Sequence, residues 1–277
     1  MPRAFLVFTV VGFSIVATGC NSGPQPPQPG TPAFYWAAAK STYAAGDFLK
    51  ASDNLSQLST STEFAARARP WSIVMSAGLA KGYMDLADNF EYGARANRAN
   101  PAPFRRQVQQ LRSLAGSAAM QCAESTSKFL SENKADPIAL EFPYPTGNFA
   151  EPVQLQRVAK GMIVPAAEIE DLTKTMVQRG VLITVTRVVG AADDPAKANG
   201  IFKAGDVKVP RAVFLQAIAK ALVDQADLYT PTKLDQPDRL KLLCQQATAS
   251  LQSVPPSKES KDLLAKIAKL TKPGKKT

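Results

Sequence analysis

Three cysteines and a run of five arginines are the side chains of this 277-residue chain whose chemistry stands out, and they stand against a complete absence of histidine. Without histidine the commonest general base and the commonest metal ligand are missing. Histidine-dependent triads are excluded. A metal would have to be held by Asp and Glu alone, and no carboxylates recur at calcium-loop spacing. There is no Gly-rich phosphate loop and no GxSxG. Ser-Lys or paired-carboxylate chemistry is what remains, and no motif points to either. The expectation is a protein that is not an enzyme, with no cofactor and no metal.

Cys20 has the most specific surroundings. Arg3 supplies a positive start, and residues 4–16 are uncharged and rich in Phe, Val, Leu and Ile. This is the pattern of an export signal, too short and wrongly flanked for a stable membrane span. The run closes on Val16, Ala17, Thr18, Gly19 and Cys20. That ending resembles the lipobox of bacterial lipoproteins, although Ala17 stands where leucine is commonest in the family. The resemblance implies that residues 1–19 are a signal peptide and that Cys20 is lipidated and becomes the mature N-terminus. Membrane lipid, held through Cys20, is then the first partner. Asn21 is not aspartate, which by resemblance to the sorting rule of enteric bacteria favours the outer membrane, facing the periplasm.

The anchor needs a spacer, and residues 20–33 have the composition of one. Five of the twelve residues from 21 to 32 are proline and two are glycine. Proline fixes φ and is excluded from helix interiors, so the segment favours extended polyproline II. At about 3.1 Å per residue it reaches roughly 35 Å.

Behind the tether the chain reads as helices punctuated by proline and glycine. The spacing predicts an all-α body of stacked helical hairpins in two halves, residues 34–134 and 153–254. Between them, residues 135–152 read as a loop rich in proline and aromatic residues, and residues 255–277 as a basic tail. Residues 34–45 form a first helix, Gly46-Asp47 breaks it, and Asp47 caps a second. Phe48, Ala51, Leu55 and Leu58 share one face of that second helix. Two short helices about a Gly-Asp turn, with Ala39, Gly46, Phe48, Ala51, Leu55 and Leu58 so placed, resemble one tetratricopeptide unit, without a 34-residue repeat to follow. Long helical patterns run from Pro70 towards Asn97 and from Pro103 through Phe129. The β-branched run 181–189 has only residues 207–209 as a weak partner strand, so it reads as a buried helix. A clear amphipathic helix starts at Pro210, and Leu240, Leu243, Ala247 and Leu251 mark another. In the tail, Leu263, Leu264, Ile267 and Leu270 oppose lysines, the pattern of a packed terminal helix or of a surface-binding one.

The charge and the other two cysteines complete the reading. The net charge is +10, and residues 95–112 hold Arg95, Arg98, Arg105, Arg106 and Arg112 without one acid. The tail, 258–277, adds seven lysines against two acids. Behind an export signal, the anions these meet are lipid headgroups or lipopolysaccharide rather than nucleic acid; otherwise they form a solvated basic face. Cys122 and Cys244 lie on apolar stripes of their helices. They either bridge the halves as a disulfide or fill core space as small hydrophobes. The expected function is a non-catalytic envelope lipoprotein scaffold that docks an unknown envelope protein in grooves between helices. The alternative is a helical module binding a small or lipid-like ligand between its halves.

Overall fold

The computed structural model describes residues 27–272; the signal segment, Cys20 and residues 273–277 lie outside the described residues. Among the described residues there are ten α-helices, one 3₁₀ turn and one two-stranded ribbon, so the expected all-α body is what the chain adopts. No helix among them is long and apolar enough to cross a membrane.

The first two helices form the expected hairpin. Helix α1 (Pro32–Ala44) starts where Thr31 Oγ1 accepts from Phe34 N at 3.3 Å, and α2 (Phe48–Ser56) starts where Asp47 Oδ1 accepts from Lys50 N at 3.2 Å. Between them Gly46 takes φ +74, a left-handed conformation that other residues adopt only with strain. Most of the aromatic residues here are core, with Phe34 and Tyr35 half-buried at its edge. Trp36, Tyr43 and Phe48 are buried, and Phe142 stacks on Trp71 with ring centroids 4.6 Å apart. Tyr43 donates to the Pro143 carbonyl at 3.0 Å, which draws the 135–152 segment onto the hairpin.

Two long helices, α3 (Ala65–Ala96) and α4 (Ala102–Glu132), pack as the spine of the body. The α3 helix begins before Pro70 rather than after it. Pro70 falls in its second turn, and the start is built on Phe64, whose N–H donates to Ser61 Oγ at 3.2 Å. After the short α5 (Val153–Ala159), α6 (Ala166–Val188) lies along α3. Here the backbones touch. A Cβ on Gly180 would stand 2.2 Å from the Gly78 carbonyl oxygen and 2.6 Å from Gly82 N. This seam joins the two sequence halves, and one apolar core runs through both. The β-branched run 181–188 is helical, as read, and buried.

The 135–152 segment differs from the expected loop. Ile138–Leu140 forms β1, and after α7 (Pro195–Lys203) the residues Val207–Val209 form β2. The strands are antiparallel, Ile138 opposite Val209 and Leu140 opposite Val207, with those four side chains buried and the central ones exposed. Three-residue strands carry too few alternations to show as a period, and their partners lie far apart in the chain.

Helix α8 (Arg211–Ala226) runs into a 3₁₀ turn (Asp227–Tyr229) and then α9 (Pro237–Gln252). After Pro255-Pro256, α10 (Lys258–Leu270) opens with a capping box between Ser257 and Ser260. It packs on α8 and α9 through buried Leu263 and Ile267, while Leu264 is exposed. Lys266 pairs with Asp224 of α8 at 2.8 Å. The described part of the tail is a packed terminal helix.

Candidate functional site

The five arginines divide into two groups. Glu91 of α3 takes both Arg95, one turn on, and Arg112, across the turn on α4. Burial pushes the Glu91 carboxyl up, but the hydrogen bonds and charges of Arg95 and Arg112 outweigh it and hold it below its ordinary value. Arg112 is nearly buried and ties α4 to α3 through Glu91, whereas Arg95 pairs with Glu91 along the surface of α3 and stays exposed. Arg98, Arg105 and Arg106 are exposed and form no ion pair among the described residues. The helix starts at Ala102, so Arg105 and Arg106 sit at the end of its first turn and the start of its second.

Cys122 and Cys244 are free and buried. In this structure both stand as unbridged thiols packed among apolar side chains. Cys122 is enclosed where α3, α4 and α8 meet, beside Ser76, Thr126 and Gln225; burial pushes its thiol up to about 12. A thiol held neutral this way is a poor nucleophile. Cys244 is raised by burial as well and faces the space between α9 and α10.

That space is a groove of about 800 Å³. Leu240 and Cys244 of α9 and Ile267 and Leu270 of α10 form its apolar floor, and Tyr229 closes one end. Tyr229 is fixed from behind, its hydroxyl donating to the Gly116 carbonyl at 2.8 Å. Asp238, Lys241, Gln245 and Lys272 stand at the rim. The sequence reading found the inward stripe of α9 but not this second face. Leu240 and Cys244 were already placed on the apolar stripe; that they also face open space was not legible, because the other side of the groove lies on α10.

A smaller crevice of about 150 Å³ lies where α3, α6 and α8 meet, between the two sequence halves. The pairs Lys81–Asp85 and Lys220–Asp224 flank it, with Arg187 and Thr184 on its wall. Burial raises the Asp224 carboxyl, but Lys266 and Lys220 more than reverse that and keep it low. Gln225 lines the crevice at 2 % exposure, and neither end of its amide has a hydrogen-bond partner of normal geometry among the described residues. No group of three or more Cys, Asp or Glu side chains among the described residues is placed to hold a metal ion.

Comparison with protein-family models, with curated proteins and with solved structures finds no match. The groove and the crevice therefore have to be read from their own chemistry.

Proposed function

We propose that this chain is a lipoprotein of the bacterial cell envelope, anchored through Cys20 and held at the outer membrane facing the periplasm. Its helical body acts as a non-catalytic docking scaffold. The observation that supports the scaffold is the α9–α10 groove, whose apolar floor and polar rim suit one amphipathic helix of a partner protein. Its volume of about 800 Å³ lies within the range of pockets that bury a drug-sized ligand, so a helix would seat only its apolar anchor side chains there.

The test uses the full-length chain in its own cells, with a photo-crosslinking residue at Thr248 and the same probe at exposed Lys134 as the remote control. A discrete adduct from Thr248 that is absent at Lys134, and that disappears when Ala249→Trp fills the groove, is the expected result. Equal adducts from both positions, or an adduct indifferent to Ala249→Trp, overturn the groove. The anchor is tested separately: Cys20→Ala should release the protein from the membrane fraction, because two or more acyl chains are what make residence stable.

A second reading is favoured by Gln225. A buried amide without partners costs stability unless something meets it. A small polar ligand in the α3–α6–α8 crevice would do so. Native mass spectrometry of the full chain from its own cells tests this. A bound mass lost in Gln225→Leu supports the ligand, and an unliganded protein whose melting temperature rises in Gln225→Leu removes it.

A further inference from the structure

Met162 and Ile163, in the turn between α5 and α6, are 49 % and 55 % exposed. Neither continues a helix stripe and neither packs into the core. The turn that carries them is nevertheless fixed. Asn97 Nδ2, at the end of α3, donates to the Gly161 carbonyl at 3.0 Å. Gly161 has φ +82 and lies so close to Ala96 and Asn97 that a Cβ would fall 2.9 Å from Asn97 N. One turn back, Gly93 is flanked by the Val158 carbonyl and by the Phe104 ring at the start of α4. The end of α3, the start of α4 and the α5–α6 turn therefore form one tip of the molecule.

The tip is basic. Arg98, Arg105, Arg106 and Lys160 are exposed and form no ion pair among the described residues. Residues 95–112 and 153–163 together contain seven cations and no acid. The acids that approach from neighbouring helices are already neutralised: Glu91 by Arg95 and Arg112, Glu168 by Arg157 at 3.1 Å, Glu170 by Lys174 at 3.5 Å. Asp171 on α6 is exposed and is the one acid within two turns of the α6 start that forms no ion pair among the described residues. The positive end of the α4 dipole adds to the field, since Pro101 supplies no side-chain cap there.

We propose that this tip is a contact site for an anionic phospholipid surface. Met162 and Ile163 enter the interfacial layer, and Arg98, Arg105, Arg106 and Lys160 take the headgroup phosphates. Two apolar side chains held out on a rigid turn among cations fit a bilayer. A soluble polyanion would use the cations and leave the apolar pair in water. The tip does not involve the α9–α10 groove, and it rests on the envelope reading only for where such a surface is met.

The experiment uses the full chain carrying Ile163→Trp, with vesicles of phosphatidylcholine alone or with about one third phosphatidylglycerol, each also made with brominated acyl chains. Trp36 and Trp71 are buried, so bromine reports on position 163. The expected result is a blue shift and quenching on anionic vesicles only, both lost in salt. Each cation near an anionic surface is worth roughly a fivefold change in partitioning. Arg105→Gln with Arg106→Gln should therefore weaken it by roughly 25-fold with the melting temperature unchanged. Absence of quenching on anionic vesicles, or equal quenching on neutral ones, overturns the proposal. Binding of lipopolysaccharide sugar or another soluble polyanion at comparable affinity without any change at position 163 also overturns it, in favour of a polyanion site. Flotation with neutral vesicles reports the Cys20 anchor alone, so the two readings fail separately.

Discussion

The seam between α3 and α6 and the groove between α9 and α10 are both helix–helix contacts, yet one is closed to the backbone and the other stands open. At the seam Gly78, Gly82 and Gly180 bring no side chain of their own, so main chain meets main chain, with the Val181 side chain packed directly on Gly78. At the groove the floor is apolar and α10 packs on both α8 and α9 through Leu263 and Ile267, with Lys266 paired to Asp224, yet open space remains between α9 and α10. Apolar content therefore does not decide closure in this body; side-chain volume at the crossing does. Surface left open in this way is where a partner can gain binding energy, while surface closed by glycine carries the fold.

The comparison breaks most sharply at Gly180. In Gly180→Ala the new methyl would lie 2.2 Å from the Gly78 carbonyl oxygen, with backbone on the far side that cannot step aside. The helix gains up to about 1 kcal/mol in propensity. Overpacking takes back more, and we expect a net loss of about 2–3 kcal/mol, read as a lower denaturant midpoint. A stability equal to the parent would mean that the helices slide apart easily and that the seam is not rigid.

Next in size is the anchoring of the helix that forms the groove's second side. Leu263→Ala removes one of the two buried anchors of α10. The expected cost is about 2 kcal/mol, the low end for a buried leucine, because Leu263 sits on the terminal helix at 7 % exposure and its surroundings can relax. Crosslinking from Thr248 should fall with it, since the groove loses its second side. Loss of stability with crosslinking retained would show that α9 alone forms the docking surface.

Legibility in the sequence divides along the same line. Stripes at helical spacing, such as Phe214 to Leu222, were legible because one face of one element meets one core. The helical state of residues 181–188 was legible because no strand stood ready to pair with them. Glycine at positions 78, 82 and 180 passed unread: each is a neutral letter until two helices are brought together. The division of the arginines was hidden for the same reason, because Glu91 and Arg112 meet only across the α3–α4 turn. The groove and the basic tip are relations between elements, and no window along the chain contains both sides of either. Cys20, the most specific signal in the sequence, lies outside the described residues.

The Glu91 clamp sharpens the comparison through pH. Its carboxyl is low in the folded state, so the clamp contributes stability that is present above the unfolded carboxylate range and lost as pH falls through the folded value. Glu91→Gln should cost about 1 kcal/mol at neutral pH, as a partly exposed network does. It should also flatten the acid limb of stability below about pH 4.5. Flattening will be partial, because Glu141 and Asp224 are also held low, the first by its hydrogen bond to Arg67 and the second by Lys266 and Lys220 against its burial. An unchanged acid limb would show that the arginines meet Glu91 only loosely.

The smallest effect carries the opposite sign. Gly200 lies in α7, exposed, with ordinary helical backbone and nothing within 4 Å of where a Cβ would stand. Gly200→Ala makes the same chemical change as Gly180→Ala without the collision. It restricts the unfolded chain and adds helix propensity, so stability should rise by about 0.5–1 kcal/mol. Measured in one denaturant series, the two variants should separate by about 3 kcal/mol in opposite directions from the parent. If both move the same way, local propensity governs these positions. The claim that volume at the crossing closes the α3–α6 seam would then fall.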